Sequence, residues 1–206
     1  MDNFDLTRSI VALSLIIITI IFLLFKTVKF KHKLTIKTIS RAAIFAALSA
    51  ILYIIPYLKI SLPIFPAFLE IHLDEVPIFI AGFAYGPSVG TLVLIVKTLI
   101  KLPMTTTLCV GELTDFLYSL VFILPATLIY KRKRNIKSAL LGLSIGTLIQ
   151  VVVSSFFTTF VVLNFYMFVM GLSKETILMM VNAANPMVTS LDWPFLLIIA
   201  LPFNFI

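Results

Sequence analysis

The chain has 206 residues, of which 61% are hydrophobic and 12% are charged. Soluble domains are about half apolar and about a quarter charged, so this composition excludes an ordinary soluble fold and predicts an all-α integral membrane protein. A single cysteine excludes an internal disulfide, and two histidines argue against a multi-histidine metal centre.

The formal net charge of +7 is concentrated in two basic clusters that contain no acidic residue. The clusters consist of Lys26, Lys29, Lys31, Lys33, Lys37 and Arg41, and of Lys131, Arg132, Lys133, Arg134 and Lys137. Basic clusters beside apolar spans are typical of cytoplasmic loops, so we interpret them as orientation signals and not as a nucleic-acid site. The nine acidic residues then fall at or near the outer ends of the spans.

Apolar runs predict the membrane spans in chain order. The runs cover residues 9–25, 39–55, 76–100, 113–130, 138–170 and about 191–206. We interpret residues 1–37 as an extra N-terminal transmembrane helix with a basic cytoplasmic linker, because the basic cluster follows the apolar run and no small-residue cleavage site is present. Residues 38–206 are predicted to form a domain of six helices.

The run at residues 76–100 is long enough for one kinked helix or two short ones. If both basic clusters are cytoplasmic, an even number of crossings separates them, and residues 39–55 and 113–130 supply two. Residues 76–100 are therefore predicted to cross twice. The turn is expected at Gly86–Pro87, because neither residue supports a continuing helix.

Polar side chains gather in three predicted outer loops, residues 57–75, 101–115 and 164–186. The densest group is Glu70, His72, Asp74 and Glu75, which lie within six residues. We expect the three loops to roof a cavity open to the outside, because small ligands are usually held in apolar pockets with a few placed polar groups.

Plainer explanations of the same polar residues stay open. Acidic residues at the start of an apolar helix favour the positive end of its dipole, and this alone explains Asp74 and Glu75, or Glu112 and Asp115. Lys97 and Lys101 lie one helical turn apart, and their long side chains can snorkel to the outer surface.

Small residues form a stripe in the first predicted core helix. Ala42, Ala46 and Ala50 recur every four residues, and Ala43 and Ala47 form a parallel row. Such stripes let helix backbones approach closely in lipid. The pattern leaves open whether the stripe packs internally or against another protein.

Three classes of function fit these features. The first is a transport subunit that binds a small molecule, and the second is a structural or assembly subunit. The third is an intramembrane enzyme, in which a metal held by Glu70, His72, Asp74 and Glu112 activates water. The chain carries no Walker-type phosphate loop, so it cannot hydrolyse ATP itself.

Five segments together resemble one family, the substrate-binding S components of energy-coupling factor (ECF) vitamin transporters, most closely the riboflavin-specific type. In chain order they are "FLEIHLDEVPIFIAGFAYGP", "VGELTDFLYSLVFILPATLIYKRKR", "SALLGLSIGTL", "NPMVTSL" and "LPFNF". The resemblance covers residues 38–206. It implies a six-helix fold, no enzymatic activity and no cofactor, with riboflavin as the transported ligand.

The resemblance also implies partners and site residues. The partners are a transmembrane coupling protein, contacted through Ala42, Ala43, Ala46, Ala47 and Ala50, and two cytoplasmic ATPases. The loop before the second core helix is expected to close over the ligand, so Glu70, His72 and Asp74 enter the predicted site. Asn204 matches a ligand-contacting position. The residues Thr158, Asn164 and Asn185 fall along the pocket by the same matching.

The sequence departs from the riboflavin-specific pattern at three positions. Thr158 stands where an asparagine is usual, and His72 stands where an aspartate is usual. A lysine normally follows one turn beyond Asn204, but the chain stops at Ile206, so we expect the last helix to be shortened. These departures leave another vitamin or precursor, such as pantothenate, as the alternative ligand.

Overall fold

The computed structural model of the protein describes residues 35–105 and 107–206. This part of the chain is helical and contains no β-strand, apart from an isolated antiparallel bridge between Ile60 and Ile71. The prediction of an all-α membrane protein is confirmed. The additional helix predicted within residues 1–37 lies almost wholly outside the described residues and stays a prediction.

Seven helices make up the described part of the chain. They are α1 (Ile36–Ile54), α2 (Glu75–Tyr85), α3 (Pro87–Lys101), α4 (Val110–Arg132), α5 (Ile136–Met170), α6 (Lys174–Ala184) and α7 (Trp193–Phe205). By length and composition, α4, α5, α1 and α3 with its extension to Met104 can each cross a membrane, whereas α2 and α7 are shorter apolar helices. Six of the seven helices coincide with the predicted core spans, and α6 lies within a predicted outer loop.

The bounds of α1 follow from its end residues. Thr35 caps the N-terminus, where its hydroxyl accepts the Thr38 amide at 3.3 Å. At the other end the helix stops before Pro56, because a residue that precedes proline is disfavoured in the helical region. The last turn closes with the Ile55 amide donating to the Ile51 carbonyl at 3.1 Å.

The hairpin of α2 and α3 confirms the predicted break at Gly86–Pro87. Gly86 has a φ of 101°, a left-handed value that glycine adopts without steric cost. Pro87 starts α3, where its missing amide hydrogen costs no helical bond. A Cβ placed on Gly90 would lie 2.9 Å from the Cα of Gly82, so the two helices approach closely through glycine.

Helices α5 and α7 each contain a stretch of π-helix. In α5 it spans Thr158–Val162, and in α7 it spans Leu196–Ala200. A π-bulge widens the helix by one residue and turns the following side chains relative to a regular helix, and such bulges occur frequently at functional sites.

The described residues form two compact units. The first unit comprises Ile60–Ile71 and Val151–Ile206, and the second comprises 35–59 and His72–Gln150. The core of the first unit includes Phe65, Val181 and Phe195. Buried apolar residues of the second unit include Ile78 and Leu94.

Candidate functional site

Five of the seven predicted ligand-site residues lie in the first unit. These are Glu70, Thr158, Asn164, Asn185 and Asn204. The other two, His72 and Asp74, lie in the second unit, together with all five alanines of the predicted partner stripe.

Asn204 is held by hydrogen bonds near the end of α7. Its side-chain Nδ2 donates to the Ser155 hydroxyl at 3.1 Å and to the Ala200 carbonyl at 2.8 Å. A primary amide has two N–H donors and one carbonyl oxygen, so these bonds use both donors. The group that Asn204 can offer to a ligand is therefore its Oδ1, a hydrogen-bond acceptor.

The π-helical stretches lie beside this amide. Ser155 is buried in α5, three residues before Thr158, and its hydroxyl donates to the Ala200 carbonyl at 3.0 Å. Ala200 is the last residue of the π-helical stretch in α7. This bond links the turn of α5 just before its π-helical stretch to the end of the stretch in α7, and Thr158, the first residue of the stretch in α5, is half-buried.

The loop segment Ile60–Ile71 belongs to the same unit. Two backbone hydrogen bonds between Ile60 and Ile71, at 3.0 and 2.9 Å, close its neck. Phe65, near its middle, is buried and packs edge to face against Phe203, with ring centroids 5.3 Å apart. The loop thus reaches the residue next to Asn204. Glu70 is half-buried beside the neck.

The other predicted asparagines have local hydrogen bonds. Asn164 donates from Nδ2 to the Phe160 carbonyl within α5, at 2.9 Å. Asn185 ends α6, and its Oδ1 accepts the Met187 amide at 3.1 Å. A further asparagine, Asn182 on α6, has a buried Oδ1 that accepts no hydrogen bond from the described residues. The sequence showed Asn182 as one more loop amide, without a signal that set it apart.

His72 lies against an aromatic ring in the second unit. Its imidazole packs on Tyr53 of α1, with ring centroids 4.6 Å apart. Burial lowers the pKa of His72 below its ordinary 6.5, and Lys101 and Lys59 act in the same direction. Asp74 and Asp115 oppose this shift without cancelling it. His72 is therefore neutral at neutral pH.

Asp74 forms part of a group of four charges, in which Asp74 and both lysines are buried and Asp115 is 30% exposed. Lys97 forms ion pairs with Asp74 and with Asp115, the latter at 3.1 Å, and Lys101 pairs with Asp115 at 2.7 Å. Lys97 is 0% exposed and Lys101 is 1% exposed, so the explanation that they snorkel to the outer surface is wrong. The Asp74 carboxylate is engaged within the protein, and its direct contact with ligand stays a prediction.

Two further acidic residues of the outer loops accept hydrogen bonds from hydroxyl groups. Glu75 accepts the Ser119 hydroxyl at 2.5 Å. Glu112, which is buried, accepts the hydroxyls of Thr105 at 2.7 Å and Thr107 at 3.0 Å. Within residues 35–105 and 107–206, no group of three or more His, Cys, Asp or Glu side chains could hold a metal ion.

The alanine stripe divides into two rows with opposite environments. Ala42, Ala46 and Ala50 are 1%, 0% and 3% exposed and pack inside the second unit. Ala43 and Ala47 are exposed on the same helix. The structure thus assigns internal packing to one row and leaves the other row accessible.

In the described part of the chain, four helices long and apolar enough to cross a membrane, with a few placed polar groups such as the Asn204 amide, fit the class of membrane proteins that bind a small molecule. The family model for the substrate-specific component of ECF transporters matches residues 37–206, and the chain belongs to this family. Its members are transporter subunits, so the chain is not an enzyme, and the metal-dependent alternative is set aside. The resemblance seen in the sequence is confirmed.

Two relatives and one solved structure support this assignment. The riboflavin transporter RibU of Staphylococcus aureus is 33% identical over 143 residues, which cover 69% of this chain and 76% of that protein. The riboflavin transporter FmnP of Bacillus subtilis is 25% identical over 131 residues, covering 62% and 69%. The solved structure of the S component of a bacterial ECF transporter has a TM-score of 0.63 at 27% identity, covering 82% of this chain and 84% of that chain.

Proposed function

We propose that this protein is the riboflavin-binding subunit of an ECF transporter and captures the vitamin on the outer side of the membrane. The observation that carries the proposal is the 33% identity to a riboflavin transporter over about three quarters of that protein. The acceptor amide of Asn204, close to the loop that carries Phe65, supports it.

The chemistry of riboflavin fits the polar groups of the first unit. Its flat ring system carries one ring N–H between two carbonyl groups, and the Oδ1 of Asn204 is an acceptor that such an N–H can meet. The buried Oδ1 of Asn182 is a second acceptor in the same unit. An unsatisfied buried polar group costs about 1–3 kcal/mol, so a ligand that satisfies these oxygens gains affinity and specificity.

Transport requires partners that this chain does not replace. The sequence lacks a Walker-type loop, so we propose that two cytoplasmic ATPases and a transmembrane coupling protein supply the energy. The exposed row of Ala43 and Ala47 is the surface we assign to the coupling protein, because small residues permit close helix contact in lipid. The buried row, with Ala46 at its centre, supports that surface from behind.

Titration of the purified protein with riboflavin tests the proposal. Flavin fluorescence is expected to be quenched with a stoichiometry of one vitamin per chain, because aromatic side chains in contact with the flavin ring quench its excited state. Pantothenate and the other B vitamins serve as matched competitors. Tight binding of another vitamin, with no quenching of flavin fluorescence, would identify that vitamin as the ligand in place of riboflavin. A folded protein that binds none of them would contradict the proposal.

A further inference from the structure

The root of the α1–α2 loop, residues 72–75, is fixed by side chains from three helices. The Asp74 carbonyl accepts the Ser49 hydroxyl of α1 at 2.5 Å. The Asp74 carboxylate pairs with Lys97 of α3, and Glu75 accepts a hydroxyl from Ser119 of α4. The loop therefore has a rigid polar root, whereas its middle is held by the apolar contact of Phe65.

Lys97 differs from Lys101 in the carboxylates with which it pairs. It is fully buried and pairs with both aspartates, whereas Lys101 pairs with Asp115 and lies with its Nζ 3.1 Å from the centroid of the Tyr53 ring. Of these two lysines, Lys97 is thus the one that forms an ion pair with the loop root. Ionisable side chains inside a membrane protein are costly, and such residues are commonly retained for a function.

We propose that Lys97 is a positioning residue for ligand retention: through its ion pair with Asp74 it holds the root of the loop, so that the loop closes reproducibly over the bound vitamin. The inference rests on the proposed function for its ligand. It assigns to Lys97 no contact with that ligand. The charge balance supports the assignment, because the two lysines and two aspartates pair with one another.

A doubly neutral variant, Lys97→Met with Asp74→Asn, tests the proposal. Removal of both members of a buried ion pair is often neutral for folding, whereas removal of one member leaves the other charge buried without a partner. The Lys101–Asp115 pair remains intact in this variant. We expect riboflavin to dissociate about tenfold faster with an unchanged association rate, since changes at a binding site mostly alter dissociation. The matched control is Lys174→Met with Asp192→Asn, an exposed pair with Nζ and Oδ2 3.6 Å apart.

A second measurement separates this inference from the identity of the ligand. Phe68 in the loop is 45% exposed, so chymotrypsin cleavage there reports loop opening without any vitamin. Faster cleavage in the double variant than in the control supports the inference even if riboflavin fails to bind the wild type. If the folded double variant is cleaved, and releases riboflavin, at the same rates as the wild type, the inference is overturned. Should that variant not fold, the cleavage rate of Asp74→Asn alone, measured without vitamin, decides, because Lys97 keeps Asp115 as a partner.

Discussion

The side-chain amide of Asn204 donates a hydrogen bond to the buried hydroxyl of Ser155, over 3.1 Å. This bond joins α7 to α5 and fixes which end of the amide is available to a ligand. Because both N–H groups of Nδ2 donate, to Ser155 and to the Ala200 carbonyl, Oδ1 is the atom of the amide that can accept a hydrogen bond from a ligand. If Asn204 contacts the ligand as we propose, the ligand has to donate a hydrogen bond to this oxygen.

Replacement of Asn204 by leucine tests this assignment. We expect riboflavin affinity to fall by about 10- to 100-fold, because the acceptor is lost and the ring N–H is left unpaired at a cost of about 1–3 kcal/mol. Equilibrium titration by fluorescence quenching measures the change. For 3-methylriboflavin, which lacks the ring N–H, the wild type and Asn204→Leu are expected to bind equally weakly.

Ser155→Ala is the control for this prediction. It removes one partner of Asn204 and leaves the bond to Ala200, so affinity is expected to fall less than in Asn204→Leu. Equal affinity of wild type and Asn204→Leu for riboflavin would contradict the role of Asn204 as a ligand contact.

The contact between Phe65 and Phe203 leads to a second prediction. Edge-to-face aromatic pairs contribute about 0.5–1.5 kcal/mol beyond the area they bury. Phe65→Leu keeps the side chain apolar and removes the ring, so riboflavin is expected to dissociate about 3- to 10-fold faster. Stopped-flow chase with unlabelled vitamin measures the rate. Ile64→Ala, at a neighbouring position that is 60% exposed, is expected to leave the rate unchanged; equal effects of the two variants would argue against closure through Phe65.

The two alanine rows predict different outcomes for the same substitution. Ala47→Trp adds bulk on the accessible side of α1, so we expect vitamin binding to be retained and uptake in cells to fail. Ala46→Trp places the same ring at a position that is 0% exposed, where overpacking typically costs about 1–3 kcal/mol or more, so expression and thermal stability are expected to drop. If a folded Ala47→Trp variant supports normal uptake, the row of Ala43 and Ala47 is not the surface that contacts the coupling protein.

Much of the fold was predictable because lipid imposes strong rules on a sequence. The runs at 39–55, 113–130 and 138–170 correspond to α1, α4 and α5, with bounds that differ by no more than three residues. The break at Gly86–Pro87 was predictable because two cytoplasmic basic clusters require an even number of crossings between them, and because neither residue supports a continuing helix. Apolar runs do not reveal hydrogen-bond register, so the π-helical stretches of α5 and α7 were not predictable.

The candidate site was less predictable because contacts between distant helices leave no pattern in the sequence. Lys97 and Asp74 are 23 residues apart, and nothing in their local surroundings marks them as a pair. The two alanine rows have the same spacing, so the sequence does not show which row faces inward. The direction of the Asn204 amide depends on Ser155, which precedes it by 49 residues.

The burial of His72 against Tyr53 predicts a pH dependence of stability. The pKa of His72 is lowered in the folded protein, first by burial and then by Lys101 and Lys59, against the opposing charges of Asp74 and Asp115. The unfolded chain, with a pKa near 6.5, therefore takes up a proton more readily than the folded protein. The stability tied to neutral His72 is complete above that pH and is lost as the pH falls toward the folded pKa.

Melting temperatures measured from about pH 7.5 to about pH 5 test this prediction. The wild type is expected to lose stability over this range, and His72→Phe, which keeps an aromatic ring against Tyr53 but cannot titrate, is expected to lose less. Other carboxylates titrate in both proteins, so the difference between the two curves isolates His72. A difference that is constant with pH would show that His72 is protonated alike in the folded and unfolded states. A difference that grows as the pH falls through about 6.5 confirms that the loop root encloses a neutral imidazole.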